Sequence, residues 1–178
     1  MRENSSRDAV VIRRSTPDDV EGFWQCLDSV ARERRFLSFV QAPPLEETRT
    51  FLEDARSRGM VQFVAVAGPR IVGWCDVSPM LCEGFRHAGA LGMGLLPGYR
   101  SRGLGSGLLA HTLQECREQG LARIELEVFS SNESAIHIYL RSGFVREGLK
   151  RSARILDGRV EDIVCMALLL ASGGEGIA

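Results

Sequence analysis

At 178 residues, 44% of them hydrophobic and 25% charged, the chain can bury about 70% of its extended surface around one core, and a second full domain would be crowded. A formal net charge of −1 excludes a global field that would draw it to nucleic acid or to an anionic membrane, so any recognition of phosphate must be local. Lys150 is the one lysine among 22 basic residues; such a bias follows codon composition as readily as function, so an arginine is read as a binding residue only where its location is special.

The opening, MRENSSRDAVVIRRS, lacks the apolar core of an export leader. Its AVVIRR run (9 to 14) is β-branched and predicts a strand. STPDDVEGFWQCLDSVARERR then offers Thr16 as N-cap, Pro17 in the first turn and acids behind it, predicting a helix from about 17 to 34. After FLSFVQAPP comes a second helix, LEETRTFLEDARSRG, with Leu45, Phe51, Leu52 and Ala55 near one face. MVQFVAVA and RIVGWCDVSPM, separated by Gly68-Pro69, predict a strand pair with a tight turn, and HAGALGMGLL (87 to 96) a third strand beside them.

The loop RSRGLGSG (100 to 107) leads into a helix from about 104 to 119. The strand ARIELEVF follows, then a helix from about 133 to 141 and two strands joined at Asp157-Gly158, a strong hairpin signal. The longest apolar run, VCMALLLA from 164 to 171, falls short of the roughly 20 residues that a membrane span needs. Meander strands followed by a strand-helix-strand unit imply an α/β fold with a mixed sheet. Residues 1–171 read as a single domain and the glycine-rich 172–178 as a flexible tail.

Two arginines and three glycines at the mouth of a helix raise the question of an anion. A helix N-terminus exposes unpaired N–H groups and about half a positive charge, so glycines that admit close backbone approach make a phosphate seat. The plain alternative is that Gly103, Gly105 and Gly107 serve a turn and close packing. A nucleoside-triphosphate loop fails, because no lysine is available for G-x-x-x-x-G-K-[ST]. A dinucleotide fingerprint fits Gly103 and Gly105, with Glu125 or Glu127 downstream, but places Leu108 at the third glycine.

The stretch RSRGLG resembles the R/Q-x-x-G-x-G acyl-CoA loop of GNAT superfamily N-acetyltransferases. LLPGYRSRGLGSGLL resembles that family's strand-loop-helix segment, and NESAIHIYLRSGF its N-x-x-A-x-x-x-Y-x-x-x-G-F segment, here Asn132, Ala135, Tyr139, Gly143 and Phe144. Together they cover about 90 to 145. More loosely, the upstream order and ERRFLSF look similar to a bacterial branch of amino-acid or phosphinothricin-type acetyltransferases. The resemblance implies a GNAT fold: a mixed, mostly antiparallel sheet of about seven strands with four main helices, in the order strand, two helices, three strands, helix, strand, helix, two strands.

It also implies acetyl-CoA as cofactor, with its pyrophosphate on the backbone of Arg102, Gly103, Leu104, Gly105, Ser106 and Gly107, and Arg100 alongside. Its pantetheine arm would pair with the GMGLL strand near Met93 and Leu95, in a slot formed where that strand splays from ELEVF. Asn132 and Ala135 join the cofactor contacts, while Asn132 alone also reads as an N-cap. The twelve-residue spacing from Glu127 to Tyr139 is similar to that of the base and acid of ribosomal-protein alanine acetyltransferases, which implies Glu127 as base and Tyr139 as acid. Period two puts Glu125 on the same strand face, so it stays open as the base.

Acyl transfer to an amine of free pKa roughly 8 to 10 needs both groups, since the amine must lose a proton and the departing thiolate must gain one. Phe36, Phe39, Trp74, Asp76 and His87 are acceptor-pocket candidates, although aromatic residues ordinarily fill cores. His87, His111 and His137 show no metal spacing, so no metal is expected. Cys26, Cys75, Cys82, Cys116 and Cys165 are odd in number and never paired as C-x-x-C, which argues against disulfides and zinc and for a reducing cytoplasm.

The reading is therefore an acetyl-CoA-dependent N-acetyltransferase. It would act on a small amine or amino acid by direct attack in a ternary complex, with no nucleic-acid or membrane partner. The alternatives are a non-catalytic CoA-binding module and a protein N-terminal acetyltransferase. The apolar final strand leaves two arrangements open, a homodimer sharing that edge or an edge covered within one chain.

Overall fold

In the computed structural model, which describes residues 9–170, the strand-like runs form one seven-stranded sheet. Its strands are β1 (Val10–Arg14), β2 (Val61–Ala67), β3 (Arg70–Pro79), β4 (Ala88–Leu95), β5 (Arg123–Phe129), β6 (Val145–Leu156) and β7 (Arg159–Leu169). The spatial order is β1-β2-β3-β4-β5-β7-β6, antiparallel throughout except for β4 and β5. The helices are α1 (Val20–Ala31), α2 (Leu45–Ser57), α3 (Leu104–Glu118) and α4 (Glu133–Arg141). This is the expected mixed α/β arrangement, and the glycine-rich 172–178 lies outside the described residues.

Local chemistry accounts for the boundaries. Pro17–Asp19 form a single 3-10 turn that runs into α1. The Asp19 carboxylate accepts the Thr16 backbone N–H at 2.7 Å and holds Arg13 with two bonds of 2.7 Å, tying the helix start to β1. α1 stops at Ala31, short of the predicted end, because Arg34 takes a left-handed φ of 58° that no helix continues. Asp157 and Gly158 both have positive φ, 52° and 73°, as the two-residue β6–β7 hairpin turn requires.

α1 packs on one face of the sheet and α3 on the other. Phe23 of α1 meets Trp74 of β3 edge-on at 5.6 Å. On the opposite face Thr112 of α3 donates to the Cys75 carbonyl at 3.4 Å. The core between these layers is rich in residues with no exposed surface, among them Val61, Val64, Val72, Val77, Leu108, Leu109 and Ile124.

Two departures from a regular sheet matter for function. β4 and β5 pair only from Ala88–Arg123 to Ala90–Glu125. Beyond that point β4 stays with β3 as far as Gly73–Leu95 while β5 follows β7 as far as Phe129–Ile163, so the two strands part. Secondly, β7 is interior, flanked by β5 and β6, and the edge strands are β6 and, at the far side of the sheet, β1. The apolar final strand is covered within its own chain.

Candidate functional site

Where β4 and β5 part, a cavity of about 730 Å³ opens. One wall is Leu91–Leu95 of β4, another is Glu127–Phe129 of β5, and Phe36, Leu37 and Ser38 close one side. Gly103, Gly105 and Ser106 of the loop, with Asn132, Ala135 and Tyr139 from around α4, close the other. Its volume is that of a site for a substantial small molecule.

The loop has the geometry of an anion seat. Gly103 takes φ 79°, a left-handed conformation that a side chain would oppose. Its carbonyl accepts the Gly107 N–H at 3.0 Å, the first turn of α3. The N–H groups of Leu104, Gly105 and Ser106 precede that first bond and therefore have no acceptor within the helix. With the positive end of the α3 dipole behind them, they fit a diphosphate.

The structure redistributes the loop's other residues. Arg100 does not stand free for phosphate: its guanidinium is held by Glu33 at 2.5 and 2.8 Å, its Nε donates to the Leu95 carbonyl at 2.8 Å, and it stacks on Phe36 at 4.6 Å. It ties the end of β4 to the end of α1. Arg102 is exposed, 5.4 Å over the Tyr99 ring and outside the cavity wall. Gly107 serves packing, because a Cβ there would come within 2.8 Å of Ile12 in β1. Leu104 contributes its backbone and is outside the wall.

Glu127 and Tyr139 both line the cavity, and they reach it from opposite faces of the sheet. The register fixes Glu127: Glu125 pairs with Ala90, Gly92 with Asp76 and Gly94 with Trp74, so Glu127 shares the α1 face with Asp76 and Trp74. Its carboxylate is ion-paired with Lys150 of β6. Tyr139 comes from α4, beside Phe144 at 5.6 Å. Burial pushes its hydroxyl well above the usual phenol range, with the nearby Cys75 adding to this, so it stays protonated as a donor. Glu125 instead pairs with Arg123 at 2.6 Å, where the strands are still joined, and is absent from the wall.

Met93 and Leu95 line the cavity from the α3 face, where Gly105 and Ile138 meet them. Asn132 caps α4, its side chain accepting the Ala135 N–H at 3.3 Å, and lines the cavity as well. Phe36 is in the wall, whereas Phe39 and His87 are not. His87 precedes the paired end of β4, where its carbonyl accepts the N–H groups of Ala122 and Arg123 at 2.8 and 3.1 Å; it stands away from the opening.

Trp74 is core, 3% exposed against Phe23. Asp76 lies behind Gly92 and outside the wall. Burial pushes its carboxyl up to about 7, partly offset by Trp74. Gln62, opposite it on β2, is 2% exposed, and its amide has no hydrogen-bond partner among the described residues.

His137 of α4, which showed no metal spacing in the sequence, is exposed and is part of the wall. Lys150 and Glu33 were not singled out by the sequence, and their partners lie 23 and 67 residues away. No group of three or more metal-ligating side chains occurs among the described residues, and no helix among them is long and apolar enough to cross a membrane.

Comparison with known proteins gives concordant results. The pattern of the acetyltransferase (GNAT) family matches residues 24–144. The ribosomal protein bS18 alanine N-acetyltransferase of Escherichia coli is 41% identical over 73 residues, which is 40% of this chain and 49% of that protein, so the chain spans about half the length of that relative. An L-amino acid N-acetyltransferase of Escherichia coli is 26% identical over 159 residues, 89% of this chain and 96% of that protein. Among solved structures, a phosphinothricin acetyltransferase from Sinorhizobium meliloti in complex with acetyl-CoA superposes with a TM-score of 0.86 at 19% identity, covering 92% of this chain and 90% of that one. That likeness shows a shared fold.

Proposed function

This chain belongs to the acetyltransferase (GNAT) family, and from that premise we propose that it is an acetyl-CoA-dependent N-acetyltransferase acting on a small amine or amino acid by direct transfer. The observation that carries the reading is a single cavity joining the helix-N-terminal loop, the parted strands β4 and β5, and the Glu127–Tyr139 pair.

The residues present fit the cofactor. The free N–H groups at Leu104, Gly105 and Ser106 would hold its diphosphate. The β4 backbone from Leu91 to Leu95, unpaired on its β5 side, would take the amide-bearing arm as a further strand. When bound, acetyl-CoA supplies an activated acetyl group and a thiolate leaving group. A backbone N–H near Met93 or Leu95 would polarise the acetyl carbonyl.

Glu127 Oε accepts the proton that an incoming ammonium must lose before its nitrogen can attack. Tyr139 donates its hydroxyl proton on the other face, where the thiolate departs.

Direct transfer is supported by the cysteines. None lines the cavity, and burial raises the thiols of Cys26 and Cys116 to about 12 and that of Cys75 higher still, far from the reactive thiolate range. All five are unpaired, which supports a reducing compartment such as the cytoplasm. A homodimer would form through the β6 edge, where Leu149 and Ile155 are exposed; light scattering that gives a monomer at every concentration removes it.

The 41% match with an alanine N-acetyltransferase favours a second acceptor class, a peptide N-terminus. Thiol release from acetyl-CoA across amino acids, simple amines and a peptide beginning with alanine tests both. Release with a small acceptor supports the reading, and release with the peptide alone replaces it. Binding of acetyl-CoA without release from any acceptor contradicts catalysis and favours a sensing module.

A further inference from the structure

Lys150 stands where the acceptor's amine is expected. Phe129, Ile163 and Lys150 form one row across β5, β7 and β6, and Glu127, Cys165 and Gly148 form the row beside it. Residues two apart on a strand share a face, so Lys150 and Glu127 lie on the same side of the sheet, opposite Tyr139. Glu127, Phe129 and Ile163 are all in the cavity wall. Gly148 has no side chain and Cys165 only a short one, and the Lys150 side chain crosses this diagonal to donate from Nζ to Glu127 Oε1. Lys150 itself is outside the wall; its ammonium rests on the wall's carboxylate.

Chemistry sets this contact apart from an ordinary surface ion pair. Lys150 is the one lysine among 22 basic residues. An arginine would hold the carboxylate with two bonds and could not lose its proton, whereas a lysine amine, once neutral, is a nucleophile. Both side chains are about half exposed, 53% for Lys150 and 51% for Glu127, so packing locks neither of them. The carboxylate holds the ammonium protonated, above the ordinary lysine range, and Glu127 is also the group that takes a proton from an acceptor amine. A primary amine hydrogen-bonded to the base is what the reaction requires of its acceptor.

We propose that Lys150 is itself an acetyl acceptor, a modification site at which the protein acetylates its own chain. The Lys150 ammonium gives one proton to Glu127, which passes it to water. Nζ then bonds to the acetyl carbon and the C–S bond breaks. The departing thiolate takes the Tyr139 hydroxyl proton, and the second proton leaving nitrogen returns to Tyr139 through solvent. The products are an Nε-acetyl-lysine and the free thiol of coenzyme A. Acetylation removes the positive charge, so the ion pair ends and Glu127 is released to an external amine. The inference rests on the acetyltransferase reading and adds an internal acceptor to it, whichever small amine is the external one.

The test incubates the purified protein with acetyl-CoA and no added amine, and follows intact mass and peptide maps. The wild type should gain one acetyl group on Lys150, at a first-order rate that does not change with protein concentration. Lys150→Arg, which keeps the charge, should gain none at that position. Glu127→Gln should acetylate about tenfold or more slowly, and Tyr139→Phe, which leaves the ion pair intact, should be slow as well. Acetic anhydride in the absence of acetyl-CoA should give the opposite order: freed from its carboxylate, Lys150 of Glu127→Gln should label about two to five times faster than in the wild type. Calorimetric binding of acetyl-CoA verifies that the variants fold. An unmodified Lys150 in a protein that releases thiol with an added amine overturns self-acetylation while leaving acetyl transfer standing. Equal or faster acetylation of Glu127→Gln by acetyl-CoA, or equal labelling of both proteins by the anhydride, does the same. No acetylation and no thiol release with any amine overturns acetyl transfer itself, and the modification with it.

Discussion

The two ends of β4 are built from similar residues and do different things. At its start, Ala88–Ala90 pair with Arg123–Glu125, and outside this joined end Arg123 holds Glu125 and Glu147 in an ion-pair cluster. At its far end, Leu91–Leu95 pair only with β3, and the side where β5 would continue is a cavity. One end has its backbone satisfied within the sheet; the other keeps N–H and carbonyl groups for something that enters. The contrast teaches that the binding slot is made less by special side chains than by where a strand pair stops.

Changes at the open end should therefore strike function, and changes at the joined end only stability. The largest effect is expected from Tyr139→Phe, which keeps the ring and removes the donor: kcat should fall by about 100-fold or more, with acetyl-CoA affinity retained in calorimetry. Glu127→Gln should lower turnover at neutral pH by a smaller factor, about tenfold or more, and flatten the pH-rate profile; an unchanged profile removes Glu127 as base. Gly103→Val forces a β-branched residue into a left-handed conformation, at about 1–2 kcal/mol, and should weaken acetyl-CoA binding between about fivefold and about thirtyfold.

Two further changes, at Asp76 behind the open end and at Arg123 of the joined end, lie outside the cavity wall and bear on stability. The raised carboxyl of Asp76 means that the folded chain holds a proton which the unfolded chain releases, so stability falls as pH rises from about 4 to about 7 and levels off above. Asp76→Asn should remove that slope and raise Tm more at pH 8 than at pH 4 in calorimetric melts. Arg123→Met breaks a largely solvent-facing cluster, each pair of which is worth at most about 1 kcal/mol, and should lower Tm by no more than a few degrees without touching acetyl-CoA affinity.

The sequence carried the fold far because its signals are local. Β-branched runs, Pro17 at a helix start, and Asp157-Gly158 at a hairpin each act within a few residues, and they led to the observed order of strands and helices. The loop from Arg100 to Gly107 was legible for the same reason. What stayed hidden depends on strand order in space. Lys150 reaches Glu127 only because β6 lies one strand beyond β7, and Arg100 meets Glu33 across 67 residues. His87 could be placed away from the opening only once the extent of β4–β5 pairing was known.

The most direct test of the central claim is calorimetric titration with acetyl-CoA of the wild-type protein and of Gly103→Val, side by side. Micromolar binding at one site per chain by the wild type, weakened in the loop variant while both melt cooperatively, is the predicted result. No binding by the folded wild type, or equal binding by both, would contradict the assignment of the glycine loop and the parted strands as the cofactor site.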